Sequence, residues 1–269
     1  MGNFGHDQLR VFFFPFMSQG HIIPTVDMAK LFAYRGVKST IITTPLNAQI
    51  ISKTIQRTKN LGFDIDVRIL KFPAAEVGLP EGCENMDVII SHEDGKDLVM
   101  KFFRVVTMLR EPLENLLQEC KPDCLVADMF FPWTTDAAAK YAIPRLVFHG
   151  ISFFSLCTGE CFKLYEPQNK VSSDSEPFVI PYLPGEIKYT RKQLPDYLRQ
   201  EEEENEFQKM MIAVKESETK SYGVVVNSFY ELESVYADFY RNELGQRAWH
   251  IGPLSLCNSG IEDKAQRGT

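Results

Sequence analysis

No stretch of the 269-residue chain approaches the roughly 18 consecutive apolar residues that a membrane-spanning helix requires. The run Val11–Met17 is broken by Pro15 and is followed by no small-residue cleavage site, so no secretory signal is expected. Position 6 is His6, not Ser or Thr, which removes the myristoylation pattern behind Gly2. No Asn-x-Ser/Thr acceptor occurs. Positive charge is scarce: 29 Lys plus Arg against 36 Asp plus Glu give a net charge of −7. Such a balance is a poor match for nucleic acid or an anionic membrane. The six cysteines include no Cys-x-x-Cys pair; the spacing at Cys120/Cys124 and Cys157/Cys161 is Cys-x-x-x-Cys. They read as free thiols in a reducing cytosol, and no metal is expected on them.

Several catalytic signatures are also missing. There is no Gly-x-Gly-x-x-Gly, no Gly-Lys-Ser/Thr loop, no Gly-x-Ser-x-Gly elbow and no His-Glu-x-x-His. These absences exclude the common dinucleotide, P-loop, serine-hydrolase and zinc-protease readings.

What is present is an ordinary globular composition, 44% hydrophobic and 24% charged, with short apolar runs alternating with helical patterns. Strands are expected at Arg10–Phe16, Val37–Thr43, Ile65–Leu70, Asp123–Ala127, Arg145–His149, Gly223–Asn227 and Ala248–Ile251. Helices are expected at Ile22–Tyr34, Pro45–Lys59, Asp94–Gln118 with a bend before Pro112, Pro132–Tyr141 and Phe207–Lys220. A last helix is expected behind a Ser228/Glu231 capping box. Single helices between strands imply crossovers, and near-continuous apolar strands imply a sheet covered on both faces. The fold class is therefore α/β, a Rossmann-like doubly wound parallel sheet. The acidic run Glu201–Glu204 reads as a solvated loop or helix start. The polar, patternless residues after Pro253 read as a linker.

In such a sheet, ligands bind beyond the carboxyl ends of the strands. Behind the first strand, the loop Met17-Ser18-Gln19-Gly20-His21 puts a histidine at a helix N-terminus. The helix dipole there favours neutral imidazole, a form suited to act as a base. The bland alternative is a histidine that caps or packs. Behind the strand ending at Ala127, Asp128 enters the apolar loop Met129-Phe130-Phe131-Pro132-Trp133. If the two strands are neighbours, Asp128 and His21 share a rim. The carboxylate would then hold one imidazole nitrogen protonated and leave the other to accept a proton. His149 ends a strand on the same rim, and His92 precedes a long helix; either could line a pocket. Asp64-Ile65-Asp66 has the Asp-x-Asp form of a metal-dependent transferase, but it opens a strand on the amino side, which favours a structural role.

These residues resemble the N-terminal half of plant family 1 UDP-glycosyltransferases. The carrying segments are FFPFMSQGHIIPTVDMAKLFAYRGVKSTIITTP, KPDCLVADMFFPWTTDAAAKYAIPRLVFHG, YGVVVNSFYELE and WHIGPL, spread from Val11 to Leu254. The resemblance implies a GT-B fold, with residues 1–253 as the acceptor-binding Rossmann-like domain and residues 254–269 opening an interdomain linker. The donor-binding signature around His-Cys-Gly-Trp-Asn-Ser is absent, so the C-terminal donor domain is expected to lie outside this chain. By the same resemblance His21 is the general base, Asp128 orients it, and Gly20 and Ser18 lie near the donor phosphates or sugar. Phe16, Met17, Phe130, His149 and Phe153 become acceptor contacts. The implied reaction is inverting transfer, with glucose the expected sugar, from UDP-sugar to a hydroxyl of a triterpenoid, steroid or flavonoid. UDP-sugar is a co-substrate, no metal or other cofactor is needed, and the complete enzyme is a cytoplasmic monomer. The isolated half is then inactive, and the alternative is a non-catalytic small-molecule binding module.

Overall fold

The computed structural model describes residues 8–92, 95–199 and 206–258. The acidic run Glu201–Glu204, His6 and the linker expectation for residues 259–269 lie outside them. In chain order the strands are β1 Arg10–Phe14, β2 Lys38–Thr43, β3 Ile65–Ile69, β4 Cys124–Asp128, β5 Arg145–His149, β6 Phe178–Val179, β7 Lys188–Tyr189, β8 Gly223–Val226 and β9 Ala248–His250. The α-helices are α1 Gln19–Ala33, α2 Pro45–Asn60, α3 Met86–Ser91, α4 Gly95–Met108, α5 Arg110–Cys120, α6 Thr134–Ala139, α7 Phe153–Tyr165, α8 Asp196–Arg199, α9 Glu206–Lys220 and α10 Tyr230–Asp238.

Seven strands form one parallel sheet in the order β3-β2-β1-β4-β5-β8-β9, and β6 with β7 makes a small antiparallel hairpin. The chain winds outward from β1 to β3, then returns to start the other half at β4. β1 and β4 are therefore direct neighbours, with Phe14 paired to Ala127. This is the topological switch point, where the helices that follow the two central strands leave in opposite directions and open a crevice.

Strand alternation divides the core cleanly. Phe12 and Phe14 point to the side carrying α4 and α5, where they join Phe102, Leu113 and Phe131. Val11 and Phe13 point to the side carrying α1 and α2, where they meet Ile22, Val26 and Ile55. Further along the sheet, Val147, Val224 and Val226 pack with α7 residues and Tyr240. Both faces are thus covered, which is why the strands read as continuous apolar runs.

The structure differs from the sequence expectation at several points. α1 begins at Gln19, three residues early, so Pro24 lies inside the helix and not at its first turn. Pro24 has no N–H, so the Gly20 carbonyl loses its usual helical donor. The long helix is two helices, α4 and α5, which meet at Leu109. The Ser228/Glu231 capping box does not form. The N-cap of α10 is Phe229, and the buried Ser228 hydroxyl has no hydrogen-bond partner. Instead Glu233, in a non-helical backbone conformation, accepts hydrogen bonds from the Phe153 and Phe154 amides at 2.9 Å each. It therefore caps α7 from outside. The body of the fold also runs past Pro253. Leu254 is buried, and the Asn258 amide bridges the buried Lys30 and Asp27 of α1.

Candidate active site

β1 and β4 deliver His21 and Asp128 to adjacent positions on the carboxyl rim. His21 is the third residue of α1, and Asp128 is the last residue of β4. The imidazole Nδ1 lies 2.7 Å from Asp128 Oδ2. Asp128 is 1% exposed and His21 is 28% exposed. The carboxylate is held in turn by the Phe130 amide on Oδ1, and its backbone carbonyl accepts from the buried Arg145 guanidinium. Asp128 is thus no helix cap: α6 starts six residues later, behind Trp133. With Nδ1–H donated to Asp128, Nε2 is left as the proton acceptor.

Two phenyl rings flank the imidazole, and a third packs on both of them. Phe16 meets the imidazole edge-on, with centroids 5.5 Å apart, and Phe130 is tilted against it at 5.6 Å. Phe103 of α4 stacks on Phe16 at 5.8 Å and reaches Phe130 at 6.1 Å. Sequence reading missed Phe103. The available signal was the helical pattern of α4, in which Leu98, Phe102, Val105 and Val106 form the buried face and Phe103 lies about 100° away from Phe102.

The electrostatics reverse one expectation. The helix N-terminus was expected to depress the His21 pKa, yet the pKa is raised above the ordinary histidine value. Burial is the largest single influence and lowers it. The Asp128 hydrogen bond, the Asp128 charge and the Asp87 charge together outweigh that burial. Asp87, at the start of α3, was not singled out in the sequence. Its carboxylate accepts from Ser18 Oγ at 2.7 Å and from the Gln19 amide at 2.8 Å, so the positive end of α1 is already met by a negative group.

The remaining site expectations fall into two groups. Ser18 and Gly20 lie in the turn beside His21, and a Cβ built on Gly20 would meet nothing within 4 Å. The open space next to the base is therefore real. Gly150, behind β5, approaches the Gly20 carbonyl. Phe16 and Phe130 flank the imidazole; Phe16, at 2% exposure, and Met17, at 1%, both belong to the core, and Met17 offers its carbonyl to the Met86 amide. His149 and Phe153 are corrected: neither side chain lines the rim. His149 is buried, with Nε2 2.8 Å from Glu218 of α9. Phe153, fully buried, packs on Tyr240 and His250. His92, the C-cap of α3, is exposed.

Among the described residues no group of three His, Cys, Asp or Glu could hold a metal ion. Asp66 pairs with Lys59 at 2.8 Å at the amino end of β3, on the edge opposite His21. All six cysteines are free, and burial pushes the Cys124 and Cys157 thiols up to about 12. Cavities of about 490 Å³ beside Tyr222 and Arg247 and about 690 Å³ beside Lys71 and Glu111 contain neither His21 nor Asp128. Among the described residues no helix is long and apolar enough to cross a membrane.

Comparison with known proteins gives the relatives of the sequence and of the fold. No family model matches the chain. A scopoletin glucosyltransferase from Nicotiana tabacum is 59% identical over 261 residues, covering 97% of this chain and 54% of the relative. UDP-glycosyltransferase 73B3 from Arabidopsis thaliana is 56% identical over 267 residues, covering 98% of this chain and 55% of the relative. The crystal structure of Glycyrrhiza uralensis UGT73P12 complexed with glycyrrhetinic acid 3-O-monoglucuronide superposes with a TM-score of 0.87 at 40% identity. It covers 97% of this chain and 52% of that one. The chain thus spans about half the length of the curated relatives it matches, and its parallel seven-stranded sheet is that of the N-terminal domain of plant GT-B transferases. By fold and by sequence along nearly its whole length, the chain is similar to the N-terminal half of plant UDP-glycosyltransferases.

Proposed function

We propose that this chain is the acceptor-binding half of an inverting UDP-sugar-dependent glycosyltransferase, with His21 as general base and Asp128 as its orienting carboxylate. The observation that carries the reading is the 2.7 Å His21–Asp128 contact at the β1/β4 switch point, with one partner buried and the other partly open. The acceptor hydroxyl gives its proton to Nε2 of His21 as its oxygen bonds to the anomeric carbon. The bond from that carbon to the diphosphate breaks, and its electron pair leaves with UDP. Asp128 stabilises the imidazolium that forms. A histidine whose pKa is raised is a stronger base once neutral, so transfer belongs to the pH range above that pKa.

The half-buried phenyl rings of Phe103 and Phe130, backed by the buried Phe16, suit an acceptor with a large apolar or aromatic body and few polar groups. That matches the range of relatives, whose names include scopoletin, anthocyanin, flavonoid and soyasapogenol B glucuronide transferases. We take the acceptor to be a hydroxylated plant metabolite of the phenolic or triterpenoid class. Three of those relatives are glucosyltransferases and one is a galactosyltransferase, and we take glucose as the sugar. Ser18 and Gly20 face the donor, the UDP-sugar is held chiefly by a second domain, and no metal takes part. The six free thiols fit a monomer working in the cytosol.

Two measurements test this. Calorimetry on the chain itself, titrated with scopoletin, quercetin and a triterpenoid alcohol, is expected to show binding of at least one acceptor and weak or no binding of UDP-glucose. The chain joined to the C-terminal half of the tobacco relative is expected to transfer glucose to the acceptor that binds, with EDTA present. Loss of transfer with EDTA, or retention of the anomeric configuration in the product, would overturn the mechanism.

A further inference from the structure

The turn that carries His21 is held in part from outside. Ser18 is the N-cap of α1, yet its hydroxyl makes no capping bond, and the first turn of the helix contains no acidic residue. The Gln19 amide is met from 68 residues away. Asp87 Oδ1 accepts from Ser18 Oγ, Asp87 Oδ2 accepts from the Gln19 amide, and the Met86 amide donates to the Met17 carbonyl at 2.7 Å. Three consecutive residues of the turn are thereby tied to two consecutive residues of α3. The Ser18 carbonyl, fixed between these ties, accepts the amides of His21 and Ile22.

α3 is itself anchored. Met86 and Ile89 are buried in the core. Asn85 Oδ1 caps the Asp87 amide, and Asn85 Nδ2 donates to Asn47 Oδ1. Asn47 in turn donates to Thr44 Oγ1 and to the Glu84 carbonyl. The rim segments behind β1 and β2 are therefore joined through α3 in one hydrogen-bonded strap. The charged groups that bear on His21 are Asp128 from β4, in direct contact, and Asp87 from α3, at longer range. The Arg145 guanidinium stands behind Asp128 on its carbonyl.

We propose that Asp87 is a positioning residue of the transfer site, holding the turn that presents His21 and placing a second negative charge beside the base. The proposal rests on the reading of His21 as that base. Each of its parts has a separate consequence. As a strap, Asp87 sets where Nε2 points. As a charge, it favours the imidazolium formed when the acceptor proton arrives. Because Asp87 is exposed, its charge acts through solvent and is screened by salt, whereas the buried Asp128 is not.

The test is an NMR titration of the imidazole resonances in this chain, which has only five histidines. Asp87→Asn is expected to lower the His21 midpoint, by less than Asp128→Asn does. The Asp87 effect should shrink between about 0.01 M and about 1 M salt, while the Asp128 effect persists. Ser18→Ala, which removes one tie without touching the core, is expected to displace the Gln19 amide and His21 ring resonances. An unchanged His21 midpoint in a folded Asp87→Asn chain overturns the charge role. Unmoved Gln19 and His21 resonances in Ser18→Ala overturn the strap, and that variant serves also if Asp87→Asn fails to fold.

In the joined enzyme, Asp87→Asn is expected to lower kcat roughly tenfold with KM little changed, since misplacing a base affects the reacting geometry more than binding. A loss confined to KM overturns the positioning role. If His21→Ala keeps full turnover, the transfer reading itself fails. If turnover needs His21 but is indifferent to Asp87, only the present inference fails.

Discussion

The sheet carries two imidazole–carboxylate pairs of nearly equal length. His21–Asp128 spans 2.7 Å at the β1/β4 switch point, and His149–Glu218 spans 2.8 Å behind β5. Both histidines follow or end a parallel strand on the same rim, and both carboxylates are almost fully buried. The difference is on the imidazole side, where exposure is 28% for His21 and 3% for His149. The first ring is partly open to solvent beside Phe16 and Phe130. The second is sealed under α9, and its Nδ1 is buried without a hydrogen-bond partner. Glu218 also meets Lys215 and the Tyr240 hydroxyl, so the second pair sits inside a structural network. An imidazole–carboxylate contact alone therefore does not define a catalytic centre. Exposure of the imidazole is what separates the two pairs.

This contrast can be broken most directly by His21→Ala in the joined enzyme, which is expected to cost roughly 10²–10⁴ in rate with little change in thermal midpoint. An equal loss of stability would place His21 with His149 as a packing residue. Asp128→Asn is next. It keeps the side chain's size but can donate to Nδ1, which would favour the wrong tautomer. Its expected cost is of the order of 10² or more in kcat with circular dichroism unchanged.

Glu218→Gln should show the opposite signature. Losing one partner of a buried pair costs about 3–5 kcal/mol in unfolding free energy, read by denaturant titration, while kcat per folded molecule stays within about twofold. A stable variant with lost turnover would make the second pair functional.

Acid sharpens the comparison further. Burial raises the Glu218 pKa, but the His149 and Lys215 interactions outweigh it and bring the value to about 2. The stability that Glu218 contributes is therefore complete above the ordinary glutamate range and is lost as pH falls from there toward about 2. His21 behaves inversely. Its raised pKa stabilises the fold below the ordinary histidine value and ceases to do so as pH rises through the raised value. Rate and His21-linked stability should thus change in opposite directions over that window, measured by a pH–rate profile beside denaturation midpoints.

The smallest effect is expected at the amino edge. Asp66→Asn breaks an exposed pair with Lys59 and should change stability by less than about 1 kcal/mol, leaving transfer unaltered. Lost transfer there would revive the Asp-x-Asp reading.

Much of the fold was legible because its signals are local. β5 is found at the expected residues, and α2 starts at Pro45 behind Thr44 as expected. His21 and Asp128 stood out because a charged or basic group at the end of an apolar strand has few local explanations. α7 was not anticipated, although Ser152 caps it locally through the Ser155 amide. Its second cap, Glu233, arrives from about 80 residues away. The Ser228/Glu231 pattern, by contrast, is locally sound and yet unused, because the chain there turns to pair Ser228 with Gly252. Asp87 and Phe103 were missed for one reason: neither belongs to a motif, and each matters only through where its helix lands.

The sequence by itself determined the parallel α/β class, the places where strands give way to helices, and the candidate pair His21 and Asp128. Those follow from periodicity and chemistry within a few residues. Tertiary structure alone decided that β1 and β4 are neighbours, that His21 is open while His149 is sealed, and that carboxylates from α3 and α10 cap the N-termini of α1 and α7. The reason is physical. Burial and partnership across 68 to 107 residues depend on strand order and on the face to which each strand turns its side chains, and no local pattern carries that information.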